Sequence, residues 1–291
     1  MEIAESVTAE KVVGNVCLTS DKEQYIAQLL ARDNLARVNR ESASVVPKNG
    51  IYVRYVKRIL DILICLPVFI LLLPINGILA VCTYFDVGRP IIFSQTRVGK
   101  DGKRFKVVKF RNMTNDTDER GVLLPPSQRV TKFGKFVRKY SLDELLNFWS
   151  VLKGDMSIIG PRPLPIIFEE RYSERHKMRT AVKPGLECPR IIGSSDLPPY
   201  QRQFENDIWY VENVSFLVDC KMVLHLIKMV FEMKKRAKNA AAAGYFIGYN
   251  EDGHAISLKL ASQKYFDEYE ELCNKEEIAV TSEKSFRVSQ N

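Results

Sequence analysis

Two adjacent carboxylates, Asp143 and Glu144, stand in the stretch "KYSLDELLNFW", and several cations lie within reach of them in sequence. Lys109 and Arg111 close the run "KRFKVVKFRNM", where a cationic pair at a strand end could meet an anion. Solvated edge charges are the ordinary alternative there. Arg138 precedes the carboxylates by one helical turn, and Arg162 is held between Pro161 and Pro163 in "GDMSIIGPRPLP". Flanking prolines leave that arginine little backbone entropy to lose, and a guanidinium fork matches phosphate oxygens. Paired carboxylates among such cations suit Mg²⁺-assisted phosphoryl transfer, in which the metal bridges carboxylate and phosphate oxygens. A carboxylate can also be the nucleophile and form an acyl phosphate that a second substrate discharges. The same stretch has a structural reading as well. Ser141 followed by Glu144 is a capping-box pattern, and a helix N-terminus there would keep Asp143 ionised.

The elements that must carry these residues are legible in outline. "PIIFSQTRVG" and "KRFKVVKFRNM" are β-rich runs joined by "KDG", which predicts a hairpin. The polar "TNDTDERGVLLPPSQR" reads as a loop. "VTKFGKFVRKY" has helical spacing, and "LLNFWSVLKGD" reads as a core-facing helix closed by Gly154. "VDCKMVLHLIKMVFEMKKRAK" is amphipathic and basic at its end, fit for a membrane surface or for the core. A further helix is expected around "DKEQYIAQLLARDNLARV".

From Ile62 to Tyr84 the chain carries no charge. Such a run is long enough to cross a hydrocarbon core of about 30 Å. Pro67, Pro74 and the pair Asn76-Gly77 interrupt it, so a kink or break is expected. A reversal at Pro74 would give two limbs of about 15–18 Å each, a re-entrant hairpin over about 59–86. Arg54, Lys57 and Arg58 precede the run and Arg89, Arg97, Lys100, Lys103 and Arg104 follow it. Positive charge on both flanks favours the hairpin, with both ends cytoplasmic, over a straight span.

Composition narrows the remaining classes. The 291 residues carry a net charge of +8 with both signs interspersed, which suits work near an anionic surface or substrate. There is no basic stripe interleaved with aromatics and no zinc-finger spacing, so nucleic acid is not expected as a partner. The six cysteines are scattered without CxxC spacing, and the three histidines are far apart. This disfavours disulfides, a histidine triad and a multi-histidine metal site. Walker A and GxGxxG motifs are absent, and "MEIAESVTAEKVVGN" has no signal-peptide pattern.

From about Tyr55 to Lys234 the chain resembles the bacterial sugar transferases known as monotopic phosphoglycosyl transferases, in their short form. The matching pieces are "KRILDILICLPVFILLLP", "IIFSQTRVGKDGKRFKVVKFRNM", "SLDELLNFWSVLKGDMSIIGPRPL", "KPG" and "FENDIWYVENVSFLVD", in order and spacing. The resemblance implies an α+β fold: a re-entrant helix hairpin broken at Pro74 and a mostly helical cytoplasmic body with a small β-hairpin and interfacial helices. It implies transfer of a sugar 1-phosphate from a UDP-sugar to polyprenyl (undecaprenyl) phosphate at the bacterial inner membrane. UMP is released, and the product starts a surface polysaccharide or glycoconjugate that downstream glycosyltransferases extend. Asp143 would be the nucleophile and Glu144 would help hold Mg²⁺, while Lys109, Arg138, Arg162 and Asp207 match polar positions around the site. The implied domain spans residues 51–238, with extensions at 1–50 and 239–291. After "KPG" many relatives continue with a "TGWAQVNGR"-like run, whereas this chain has "LECPRIIGSSDLPPYQRQ". That departure bears on sugar choice and motivates a second expectation, a catalytically silent membrane-anchored scaffold for glycan assembly.

Overall fold

A computed structural model describes residues 21–119, 121, 123–189, 196–231 and 244–274. The basic end of the amphipathic segment and residues 190–195 of the departing run lie outside the described residues. The first described element is α1 (Asp21–Leu30), which loosens into a π-turn and continues as α2 (Ala36–Glu41).

The apolar run forms one helix, α3 (Lys57–Val87), with Pro67 and Pro74 both inside it. The hairpin break expected at Pro74 is therefore not seen as an interruption of helical structure. Each proline removes a single ladder bond, and the leucines and alanines around it are strong helix formers. With the π-turn before it, this helix is long and apolar enough to cross a membrane. Both of its ends are nevertheless fastened to the folded body. Arg58 donates to the carbonyls of Val151 and Leu152 at 2.5 and 2.7 Å. Buried Asp61 accepts from the Ser157 hydroxyl and the Ile158 amide, both at 3.0 Å. At the other end Asp86 accepts from the Thr131 hydroxyl at 2.6 Å. Between these anchors Leu63, Leu71, Leu73, Ile78 and Phe85 are exposed.

β1 (Ile92–Val98) and β2 (Arg104–Phe110) pair antiparallel around the "KDG" turn, as the sequence predicts. Past the loop, a turn of helix α4 (Pro126–Arg129) leads to α5 (Lys132–Lys139), whose cap is Thr131 accepting from the Gly134 amide. A 3₁₀ turn at Leu142–Glu144 precedes α6 (Asn147–Lys153), which ends at left-handed Gly154. β3 (Ser157–Ile159) then pairs in parallel with β4 (Gly185–Glu187) across a connection that holds α7 (Glu174–Lys177) between 3₁₀ segments at Ile166–Arg171 and Met178–Ala181. This pairing joins the "IIGPRP" and "KPG" motifs. The two backbones are so close that a Cβ on Gly185 would lie 2.1 Å from the Gly160 nitrogen. α8 (Pro199–Asn213) and α9 (Phe216–Phe231) cover that pair through Tyr210, Val211 and Met222.

The extensions fold onto each other and onto this body. β5 (Phe246–Tyr249) and β6 (Ala255–Ser257) form a second antiparallel hairpin, followed by a helix over 263–274. Ile26 and Leu30 of α1 pack with Ile247, Ile256 and Tyr265. Phe246 and Tyr249 join Phe168, Tyr172 and Phe204 in an aromatic cluster. The Tyr249 hydroxyl accepts from the Ser173 amide at 2.9 Å and lies 2.8 Å from His176 Nδ1. Tyr249→Phe leaves that buried amide without its acceptor, a loss of about 1–3 kcal/mol. Urea unfolding of the variant should show a lower midpoint at unchanged slope, and an unchanged midpoint would mean the contact contributes nothing.

Candidate active site

The site is organised by a backbone reversal just ahead of the carboxylates. Ser141 adopts φ +54°, a left-handed conformation rare for a residue with a side chain, and its hydroxyl makes no cap bond. The expected capping box is therefore not formed. α6 begins only at Asn147, and Asp143 and Glu144 sit on the 3₁₀ turn instead. The reversal sends the two carboxylates toward different partners.

Glu144 takes the cations. Its Oε1 accepts from Lys109 Nζ at 2.6 Å and from an Arg162 guanidinium nitrogen at 2.5 Å. Burial works to raise its pKa, but Arg162 and Lys109 outweigh it and hold the carboxyl down to about 2. Asp143 is 7% exposed and makes no ion pair among the described residues. Its Oδ2 accepts from the Asn112 amide at 3.0 Å, and Asn112 Oδ1 accepts from Arg138 Nε at 3.0 Å. Burial pushes the Asp143 carboxyl above its usual range. Lys109 opposes that rise, and the Glu144 charge adds to it. The helix N-terminus expected to keep Asp143 ionised is not there to do so.

The structure thus brings together Asp143, Glu144, Lys109, Arg138 and Arg162. It does not bring Arg111 or Asp207. The Arg111 guanidinium points back along β1 and donates to the carbonyls of Val87 and Arg89, fastening the end of α3. Asp207 is fully buried on α8 and pairs with Arg179 at 2.6 and 3.0 Å. Arg179 in turn donates to the Arg162 carbonyl at 2.9 Å. Asp207 therefore positions the arginine loop and does not contact the carboxylates.

Two contributors escaped the sequence reading. Asn112 lies two residues past the end of β2, and the close approach of α5 holds it: a Cβ on Gly134 would fall 2.2 Å from the Asn112 carbonyl. The glycine in "TKFGKF" was the available signal. Arg97 on β1 bonds the Gln95 side chain and has no carboxylate partner among the described residues. Burial, reinforced by the nearby Arg162 charge, lowers its pKa to about 10. Nothing in "SQTRVG" marks it beyond strand character.

Among the described residues no group of three or more His, Cys, Asp and Glu side chains converges as a metal cage. The Asp143–Glu144 pair still offers hard oxygens, since Glu144 spends only Oε1 on its cations. One or two carboxylates completed by phosphate oxygens and water is the usual Mg²⁺ donor set. The pair fits a metal that arrives with a diphosphate better than one held by protein alone.

Comparison with known proteins identifies the family. The family model described as "Bacterial sugar transferase" matches residues 52–233. The chain is 42% identical over 144 residues to the uncharacterized sugar transferase EpsL of Bacillus subtilis, covering 50% of this chain and 71% of that protein. It is 33% identical over 240 residues to a UDP-glucose:undecaprenyl-phosphate glucose-1-phosphate transferase of Klebsiella pneumoniae, covering 77% of this chain and 51% of that one. A UDP-N-acetylgalactosamine-undecaprenyl-phosphate N-acetylgalactosaminephosphotransferase of Aeromonas hydrophila is 33% identical over 184 residues, covering 60% and 44%. The chain thus spans about half the length of the latter two relatives. With more than half of its length matched, the chain belongs to the bacterial sugar transferase family.

Proposed function

We propose that this chain transfers a sugar 1-phosphate from a UDP-sugar to polyprenyl phosphate, through a phosphosugar held covalently on Asp143. The observation that carries the reading is the unequal treatment of two adjacent carboxylates. Glu144 absorbs both cations, and Asp143 is left with a neutral amide. A carboxylate locked in an ion pair is a poor nucleophile, because attack must first break the pair. Asp143 is spared that cost while Arg138, one residue removed through Asn112, keeps it oriented.

In the first step an Asp143 oxygen attacks the sugar-bearing phosphorus, and the bond to the second phosphate breaks with its electron pair leaving on UMP. In the second step a phosphate oxygen of the polyprenyl acceptor attacks the same phosphorus and Asp143 departs as a carboxylate. Lys109 and Arg162 are placed to take the charge that grows on the non-bridging oxygens. Glu144, with the Asp143 oxygen that does not attack, would hold Mg²⁺, which would supply further neutralisation of the diphosphate. Names of relatives that differ in their sugar support the donor class and leave the sugar open.

The location is part of the same proposal, and α3 supports it. A helix whose two ends are tied to one body cannot have those ends on opposite faces of a bilayer, so we place it as re-entrant from the cytoplasmic face of the inner membrane. The product would start a surface glycan, with downstream glycosyltransferases as users of it. A silent scaffold would have no need of the spared Asp143, and that disfavours the second reading.

Asp143→Asn should abolish UMP release from UDP-sugar alone, by about 10⁴-fold or more, with the unfolding transition unchanged. Unchanged turnover would leave the scaffold reading standing. Asp207→Asn should do the reverse in kind. It strands a buried arginine and lowers stability by about 3–5 kcal/mol, read by urea unfolding. The pH profile of the donor step carries a third test. The nucleophile must be deprotonated, and its pKa lies above the ordinary 3.8, so the rate should fall as pH drops toward and through that raised value. Glu144, ionised down to about 2, contributes nothing to that limb. A rate flat from about pH 7 to about pH 4 would contradict the assignment.

A further inference from the structure

An open groove of about 930 Å³ runs between the last turns of α3 and the start of β1. Its walls are Ala80, Val81, Tyr84 and Phe85 on the helix and Pro90, Ile91 and Ile92 on the chain that follows. One cation stands at its rim: Arg89, exposed and lying over the Tyr84 ring at 5.8 Å. From the transfer reaction proposed above, on which this inference rests, we infer that the groove holds the isoprenoid chain of the acceptor next to its phosphate.

Three features point to that occupant. The groove continues the exposed apolar face of α3, so a lipid chain can enter it without crossing water. Its size is that of a ligand pocket, enough for the phosphate-proximal isoprene units while the remainder stays in the bilayer. It also borders the strands that carry the reaction centre. Ile92 in its wall is opposite Phe110, and the next residue pair in the register is Phe93 opposite Lys109, which holds Glu144. The two pairs are one strand residue, about 3.3 Å, apart along the backbone, with side chains on opposite faces of the hairpin. The phosphate therefore reaches Lys109 around the strand end beside which Arg89 stands.

Arg89 supplies the complementary charge for a phosphate travelling from groove to site. Arg111 gives that arginine its place. It donates to the carbonyls of Val87 and Arg89, so the loop carrying Arg89 is fixed from below by the strand that carries Lys109. This accounts for a cation that sequence reasoning had put in the phosphate site itself. Arg111 is a positioning residue for the acceptor, acting through the loop.

Kinetics and photolabelling of the full chain in lipid nanodiscs test the assignment. Arg89→Gln should raise the acceptor KM about tenfold, with the effect falling on the acceptor step and sparing donor-dependent UMP release. A benzophenone side chain placed at Ile92 should crosslink to radiolabelled polyprenyl phosphate. Excess unlabelled polyprenyl phosphate should abolish that labelling, and an equal excess of phosphatidylglycerol should not. Equal competition by the phospholipid, or an acceptor KM unchanged in Arg89→Gln, would overturn the inference. If the wild-type chain releases no UMP from donor alone, the two-step reaction fails instead, and the crosslinking competition still decides the groove.

Discussion

The Lys109–Glu144–Arg162 contact is the interaction on which the rest of the site depends. It joins the end of β2, the 3₁₀ turn and the proline-flanked loop after β3, three segments far apart in sequence. Glu144 and its partners are only partly exposed, so the pair is screened less than a surface bridge and its geometry is kept. Losing one partner would leave the other charge poorly compensated beside Asp143. Everything behind the contact serves to hold its members still. Arg179 and Asp207 fix the Arg162 backbone, and Asn147 ties α6 to β2 through the Val108 amide. The Gly160–Gly185 approach seats β3 on β4.

The same economy of position explains why two like carboxylates end up with opposite properties. They share a turn and a sequence context, yet one is held far below the usual range and the other is pushed above it. Desolvation acts on both. The difference is the direction in which each side chain leaves a backbone reversed at Ser141. A left-handed serine costs about 1–3 kcal/mol, and the surrounding contacts sustain it.

Much of this was legible in the chain, and what was not has a common cause. The hairpin at "KDG", α5, α6 and the apolar helix follow from local patterns of hydrophobicity, turn residues and caps. Residue types also flagged the five members of the site. Side-chain direction was not legible. Ser141 and Glu144 have capping-box spacing, but Ser141 is left-handed and makes no cap bond, and the Glu144 carboxylate is taken by Lys109, 35 residues away in sequence. Arg111 and Asp207 carry the right charge, and only tertiary packing shows that their partners are carbonyls and a buried arginine. Pro74 predicts a kink or break because a proline costs a helix bond. How many bonds remain around it is a property of the whole helix. The extensions gave no functional signal at all, since their significance lies in meeting each other.

That meeting sets an order of events during synthesis. Asn34 and Tyr265, which hydrogen-bond in the finished protein, are 231 residues apart. At about 5–20 residues per second, the ribosome needs roughly 10–50 s to make the second after the first. For much of that interval α3 has been made, while the apolar side of α1 still waits for Ile247, Ile256 and Tyr265. Closure of the two extensions is therefore the last act of folding. It happens on a chain whose earlier helices and first hairpin are already made, which confines the search of the trailing strands to the neighbourhood of a formed body.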